Sequence, residues 1–182
     1  FADKLILPRM VLPLRDRMLI RETNTLDLKS YQDLDGDGVA DRVELVHQGG
    51  PRGGNLEHQP SGLIWNVDNW LYTAMSPFRY RVTSGKIIRD RMPGSSGQWG
   101  LTHDNVGRLF YSFAGGENPV ADFQRPLVYG HLRLPGEQAP GFREVFPIDD
   151  IPDTQGGRGR LRANNTLNHF TASCGQSIFR GD

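Results

Sequence analysis

The chain is poor in the features that usually place a protein quickly. It has one cysteine, Cys174, in 182 residues, which excludes an intrachain disulfide, a thiolate metal cluster and a CxxCH attachment, so no haem site is expected in this chain. It carries no net charge, because 21 Lys and Arg offset 21 Asp and Glu. That balance gives no electrostatic footprint for nucleic acid or an anionic membrane. No apolar run approaches the roughly 18 residues that cross a bilayer, and no transmembrane segment is expected. Long stretches of Ala, Glu, Lys and Leu are also missing, so helix should be scarce. Gly, at 22, and Pro, at 12, are plentiful, as in chains of many short strands joined by tight turns. The chain opens at Phe1 without Met or a signal-like segment, as a processed or excised piece of something longer would.

One pattern recurs. MVLPLRDRMLIRE (10–22), GLIWNVDNWLYTA (62–74) and GLTHDNVGRLFYS (100–112) superpose without gaps, each with an apolar second position (Val11, Leu63, Leu101), a central turn and a final alternating run. Units of about 40 to 50 residues with several strands each are the signature of β-propeller blades. FRYRVTSGKIIRD adds a hairpin whose turn is Ser84-Gly85. A fourth core is expected to start at GQSIFRGD, and the Pro- and Gly-rich stretch 134–159 reads as a long excursion between strands. Residues 1–182 are therefore expected to form one all-β domain, a propeller portion of two to four blades. A β-sandwich with similar hairpins is the competing architecture. So few blades cannot close a ring, and an open edge should await further sequence or a partner chain.

The segment from Asp33 to Glu44 carries carboxylates at loop positions one, three, five, nine and twelve (Asp33, Asp35, Asp37, Asp41, Glu44), Gly38 at six and the Val39 carbonyl at seven. That is the oxygen-ligand set of a calcium loop. Its flanks, LDLKSYQ and RVELVHQ, alternate as strands, so a calcium-clamped hairpin is expected in place of a helix-loop-helix unit. A solvated acidic turn is the plainer reading of the same DG and GD dipeptides.

The succession FADKLILPRMVLPL, DLDGDGVADRVELV, NLEHQPSGLIWNVDNWLYTAMSPFRYR, GQWGLTHDNVGRLFYS and FTASCGQSIFRGD covers most of the chain. In that order it resembles the membrane-bound dehydrogenase domain of planctomycete-type bacteria, large exported proteins often fused to cytochrome c. That family is itself similar to six-bladed soluble sugar dehydrogenases that use pyrroloquinoline quinone (PQQ) and calcium. The resemblance implies an exported, periplasmic or membrane-associated oxidoreductase acting on an alcohol or sugar hydroxyl and passing electrons to a cytochrome or other subunit. It also implies that His58, just before a strand-turn-strand, is the general base and Glu57 its orienting partner. The physics agrees: an imidazole titrates near working pH, and a carboxylate can orient it. A non-catalytic propeller that binds or scaffolds within a larger complex is the alternative.

The chain departs from the sugar dehydrogenases at 94–100, GSSGQWG, where the Arg that grips the quinone is absent. A cofactor with several carboxylates loses affinity without such a clamp. Arg79, Arg81 and Arg125 could substitute, although each reads first as a surface charge on a strand. Trp65, Trp70 and Trp99 fall at repeat positions and are expected in blade cores. His103 should pack, whereas His47, His131 and His169 lack metal-like spacing. Cys174 is expected to be buried, and Asn164-Asn165-Thr166 is a formal but idle sequon.

Overall fold

A computed structural model describes residues 1–92, 97–111, 157–166, 175 and 177–181, together with strand pairings at 115–116, 128–129, 132–133 and 170–171. It divides into two compact units, Phe1–Ser95 and Ser96–Asp182. Among the described residues the only helical segment is one 3-10 turn, Gly157–Arg160, so the fold is all-β as expected.

The first unit holds two four-stranded antiparallel meanders. One runs β1 (Pro8–Pro13), β2 (Met18–Glu22), β3 (Leu28–Gln32) and β4 (Arg42–His47); the other runs β5 (Ser61–Trp65), β6 (Leu71–Ala74), β7 (Phe78–Thr83) and β8 (Lys86–Arg91). Each strand pairs with its sequence neighbour, which distinguishes both sheets from the Greek keys of a sandwich. Ser84 and Gly85 form the expected turn between β7 and β8, at φ 49° and 75°. Two successive left-handed residues give a two-residue hairpin the twist of its strands.

The sheets fan apart. Of the inter-sheet strand pairs, the first strands β1 and β5 come closest. Met10, Leu19, Leu28, Leu63, Leu71 and Tyr80 form the shared core. Larger groups fill the wedge farther out, where Tyr80 and Phe78 of β7 meet His47 at the end of β4. Both β1 and β5 begin at the end where Arg9 reaches the carbonyls of Leu56 and Glu57, so they run in the same direction. Two consecutive meanders diverging from adjacent parallel first strands are two blades of a propeller.

In the second unit β9 (Thr102–His103) pairs with β10 (Leu109–Phe110), as the third copy of the repeat requires. β11 (Gly115–Gly116) pairs with β14 (Phe170–Thr171), and β12 (Val128–Tyr129) with β13 (Leu132–Arg133). Residues 177–181, the expected start of a fourth core, have no strand. Most of the 134–159 excursion, and Cys174, lie outside the described residues.

Register corrects the gapless superposition at its first copy. In the second copy Asn66 N–H donates to Trp70 O at 2.9 Å and Asn69 N–H to Asn66 O at 3.0 Å, leaving three residues in the turn. The third copy repeats this between Asp104 and Arg108, at 3.1 Å, and Gly107, at φ 86°, replaces Asn69, at φ 64°. In the first copy Leu14 N–H donates to Arg17 O at 2.7 Å, which leaves only Arg15 and Asp16 between them. One residue is missing there, so Met18 corresponds to Leu71 and not to Trp70. Arg162 N–H to Thr166 O, at 2.8 Å, with Asn165 at φ 61°, makes a further turn of the longer kind at the sequon.

Candidate functional site

Glu57 and His58 lie on the connection from β4 to β5, at the end of the sheets where β1 and β5 begin. Both side chains are exposed, and their backbone is fixed from several sides. Arg9 donates from Nη1 to Leu56 O at 2.8 Å and from Nη2 to Glu57 O at 2.7 Å. The buried Gln59 amide donates to Gly53 O at 2.8 Å and Asn55 O at 2.6 Å. Asn55 Oδ1 accepts Glu57 N–H at 2.9 Å, and Asn55 O accepts His58 N–H at 3.2 Å. Farther back, Gly49 N–H reaches Asp27 Oδ1 at 3.0 Å and Arg52 N–H reaches Asn24 O at 2.8 Å, tying the loop to the β2–β3 turn. A side chain held on so braced a loop is positioned at little further entropic cost, which is what a general base or a binding group needs. Burial lowers the Arg9 pKa, and the Glu57 charge partly offsets this. Sequence reading missed Arg9, Asn55 and Gln59. Asn55 sits two residues before Glu57, the spacing of a side chain that bonds backbone two residues on, and could have been found.

The acidic segment is the β3–β4 hairpin loop, with Gln32 paired to Arg42 at its base. The meander alternates direction, so this loop lies at the opposite end of the sheet from Glu57 and His58. The carboxylates of Asp33, Asp35 and Asp37 offer ligand atoms within 4.8 Å of one another. Asp33 accepts Gly36 N–H at 2.7 Å and Gly38 N–H at 2.9 Å. Those two backbone donors, Gly38 first, hold the Asp33 carboxyl below the usual range. The Val39 N–H bonds Asp37 Oδ1 at 2.8 Å. Asp41 stands apart from that trio and closes the loop by accepting Leu34 N–H at 2.7 Å. Glu44 is also apart, on β4 and ion-paired with Arg42. Three of the five expected carboxylates are thus brought together.

Other residues change place. Trp70 is buried as expected, Trp99 is half-buried, and Trp65 is exposed on the tip of its hairpin, its Nε1 donating to Asn69 Oδ1 at 2.9 Å. The indole folds back onto the turn residue Asn69 and leaves the inter-sheet core to its ladder partner Leu71. Arg79 is no surface charge: it is buried over the Trp70 ring at 4.2 Å and forks onto Asp90 Oδ2 at 2.7 and 3.0 Å. The half-buried Arg81 lies on the same ring at 4.1 Å, so neither cation is available as a cofactor clamp. His103 is half-buried and its Nδ1 lies 2.8 Å from Asp104 O. His47 belongs to an inter-sheet network with Tyr80 and Arg21 that periodicity did not reveal. Residues 94–96, Arg125, His131 and His169 lie outside the described residues; Gly97 to Gly100 contain no cation. No helix of the described residues is long and apolar enough to cross a membrane.

Over residues 1–182 the chain belongs to the family described as Domain of unknown function (DUF7133). No curated protein and no solved structure matches it.

Proposed function

We propose that this member of the family is the propeller portion of an oxidoreductase acting on an alcohol or sugar hydroxyl. The observation that carries the reading is the exposed His58 beside Glu57, on a loop clamped by Arg9 and Gln59 at the end where the innermost strands begin. His58 takes the hydroxyl proton at an imidazole nitrogen, and Glu57 orients the ring and stabilises its charged form. A quinone-type acceptor, when bound, would take the two electrons as hydride from the carbinol carbon and hand them to a cytochrome. PQQ itself does not fit the donors described. Arg9 is engaged with two carbonyls and Arg79 with Asp90, so its carboxylates would find no paired cation there. An exported or membrane-associated location goes with this reading.

The test uses the complete protein, reconstituted with quinones and assayed with a dye against an alcohol and sugar panel. His58→Ala is expected to cut turnover by about 100-fold or more. Equal turnover in both proteins removes His58 from the chemistry. Absence of turnover in either favours a second reading, a non-catalytic binding or scaffold subunit. That reading draws support from two described clefts, one lined by Phe1, Tyr31 and Val43 and the other by Asp104 and Arg180, which offer surfaces for a bound partner.

The acidic hairpin is proposed as a calcium site that stiffens the blade and stays out of the chemistry, given its place at the far end of the sheet. Asp33, Asp35, Asp37 and the Val39 carbonyl would hold the ion, with Asp41 and Glu44 recruited only if their present bonds are exchanged. Millimolar calcium is expected to raise Tm by roughly 5 °C, and the Asp35→Asn/Asp37→Asn pair to abolish the shift. A Tm indifferent to calcium would leave a solvated acidic turn.

A further inference from the structure

The outer half of the wedge between the two sheets is basic. Residues directly opposite on an antiparallel ladder share a face of the sheet. Tyr80 pairs with Arg89 and Phe78 with Arg91, so both arginines belong to the face whose Tyr80 and Phe78 meet His47. Arg89 is held there by a contact of its own, its guanidinium lying 4.5 Å from the centre of the Phe78 ring. From the first sheet comes Arg21, whose Nη2 is 3.2 Å from the Tyr80 hydroxyl that lies 2.7 Å from His47 Nδ1. Three guanidiniums and an imidazole therefore gather around the outer wedge.

Acids do not balance them. Among the described residues the ion pairs are made by Arg17, Lys29, Arg42, Arg79 and Arg108, and none by Arg21, Arg89 or Arg91. The carboxylate that acts on His47 through space is Asp27, and its Oδ1 accepts Gly49 N–H at 3.0 Å. Arg21 is only 2% exposed, yet its partners are two neutral oxygens, Leu26 O at 3.3 Å and the tyrosine hydroxyl, and its Nε has none. A buried charge is costly unless an opposite charge or a full set of hydrogen bonds meets it. The mouth of the wedge is open, because Arg89 and Arg91 are exposed and His47 is half-buried. A neutral His47 that accepts the Tyr80 proton at Nδ1 carries its own proton on Nε2, a donor with no described partner.

We infer that the mouth of this wedge binds a tetrahedral oxyanion, phosphate or the phosphoryl group of a monoester, held by Arg89, Arg91 and His47 Nε2 with the charge of Arg21 adjoining at the Tyr80 hydroxyl. Guanidinium forks and an N–H donor are the groups that recognise such an anion most strongly. A divalent charge suits the site, since Asp27 offsets one of the three guanidiniums. An anion there would tie strands of both sheets together. The site uses neither Glu57 and His58 nor the acidic hairpin, and it stands whether or not the chain is a dehydrogenase.

Thermal unfolding of the complete protein tests this in calcium-free buffer, with millimolar inorganic phosphate compared against sodium chloride of equal ionic strength. Phosphate is expected to raise Tm by roughly 3 °C. Glycerol phosphate in a second arm identifies the source: an equal rise means that the mouth admits a phosphorylated ligand, and a rise with inorganic phosphate alone limits it to the free ion. Arg89→Gln, at an exposed side chain, should lose most of the rise. Proton NMR supplies a local readout. The His47 ring, faced by Arg21, Arg89, Arg91 and Asp27, should titrate at higher pH with phosphate present, because the anion stabilises the charged imidazole. A Tm rise kept in full by Arg89→Gln, no rise in the wild type, or a His47 titration indifferent to phosphate would overturn the inference.

Discussion

Tyr80→Phe is expected to destabilise the first unit by about 3 kcal/mol at pH 7.5, measured by urea denaturation. Tyr80 is fully buried, and its hydroxyl joins the two sheets. Arg21 Nη2 donates to it at 3.2 Å, and His47 Nδ1 lies 2.7 Å away. Arg21 can only donate, and Ser76 is a further partner of the hydroxyl, so a neutral His47 is placed to accept the hydroxyl proton at the shorter of the two contacts. Arg21 is also buried, its Nε has no partner, and its other contact is Leu26 O at 3.3 Å. Phe keeps the ring packing but strands the guanidinium and Nδ1, so the cost exceeds that of one ordinary hydrogen bond. A loss under about 1 kcal/mol would show that water or a side-chain shift replaces the hydroxyl.

The same network sets a pH dependence whose sign is fixed. Burial lowers the His47 pKa, as do Arg89 and Arg21 facing it from β8 and β2, with Asp27 opposing. The unfolded chain therefore binds this proton at a higher pH than the folded one does. The contribution is fully present above about pH 6.5 and is lost as pH falls toward the lowered folded value. Removing the Tyr80 hydroxyl takes away a donor to the neutral ring, which lets the folded pKa rise. The stability gap between wild type and Tyr80→Phe should accordingly narrow at pH 5. A gap that widens there would mean that the hydroxyl accepts from a protonated His47.

Strand pattern was legible because alternation and turn chemistry are local. Ser84-Gly85 can be read directly from residues that tolerate positive φ, and the hairpin around Asp33 from strand-like flanks on both sides. The missing turn residue at Arg15-Asp16 was not, since a gapless match scores similar side chains without knowing the hydrogen bonds that close each hairpin. The chemistry of the wedge was harder still. Arg21, His47, Arg79 and Tyr80 look like surface residues in an alternating strand, because one-dimensional pattern cannot say that both faces of a blade are covered. His58 was legible only through resemblance. Its exposure and the grip of Arg9, 48 residues from Glu57 in sequence, depend on a contact that local pattern does not encode.

Arg79→Ala should cost about 4 kcal/mol and Arg79→Met about half as much, a difference that separates packing from charge. Asp90, the ion-pair partner, keeps nearly half its side-chain surface in water and can be rehydrated when Arg79 is lost. The penalty of a stranded buried charge, which dominates when both partners are enclosed, is small here. The larger losses lie on the other side of the guanidinium. It stacks on the buried Trp70 ring and donates from Nη1 to Tyr72 OH at 3.3 Å. That hydroxyl in turn donates to Asp68 Oδ2 at 2.6 Å, and burial, followed by this bond, pushes its pKa well above the usual tyrosine value. Alanine forfeits the stack, about 1 to 2 kcal/mol, leaves a cavity beside Trp70 worth a similar amount, and removes one donor from Tyr72. Methionine refills the cavity and keeps a polarisable contact with the indole, losing mainly the stack and the donor. Urea denaturation followed by tryptophan fluorescence reports both variants. Equal losses in the two would place the energy in the Arg79–Asp90 charge pair.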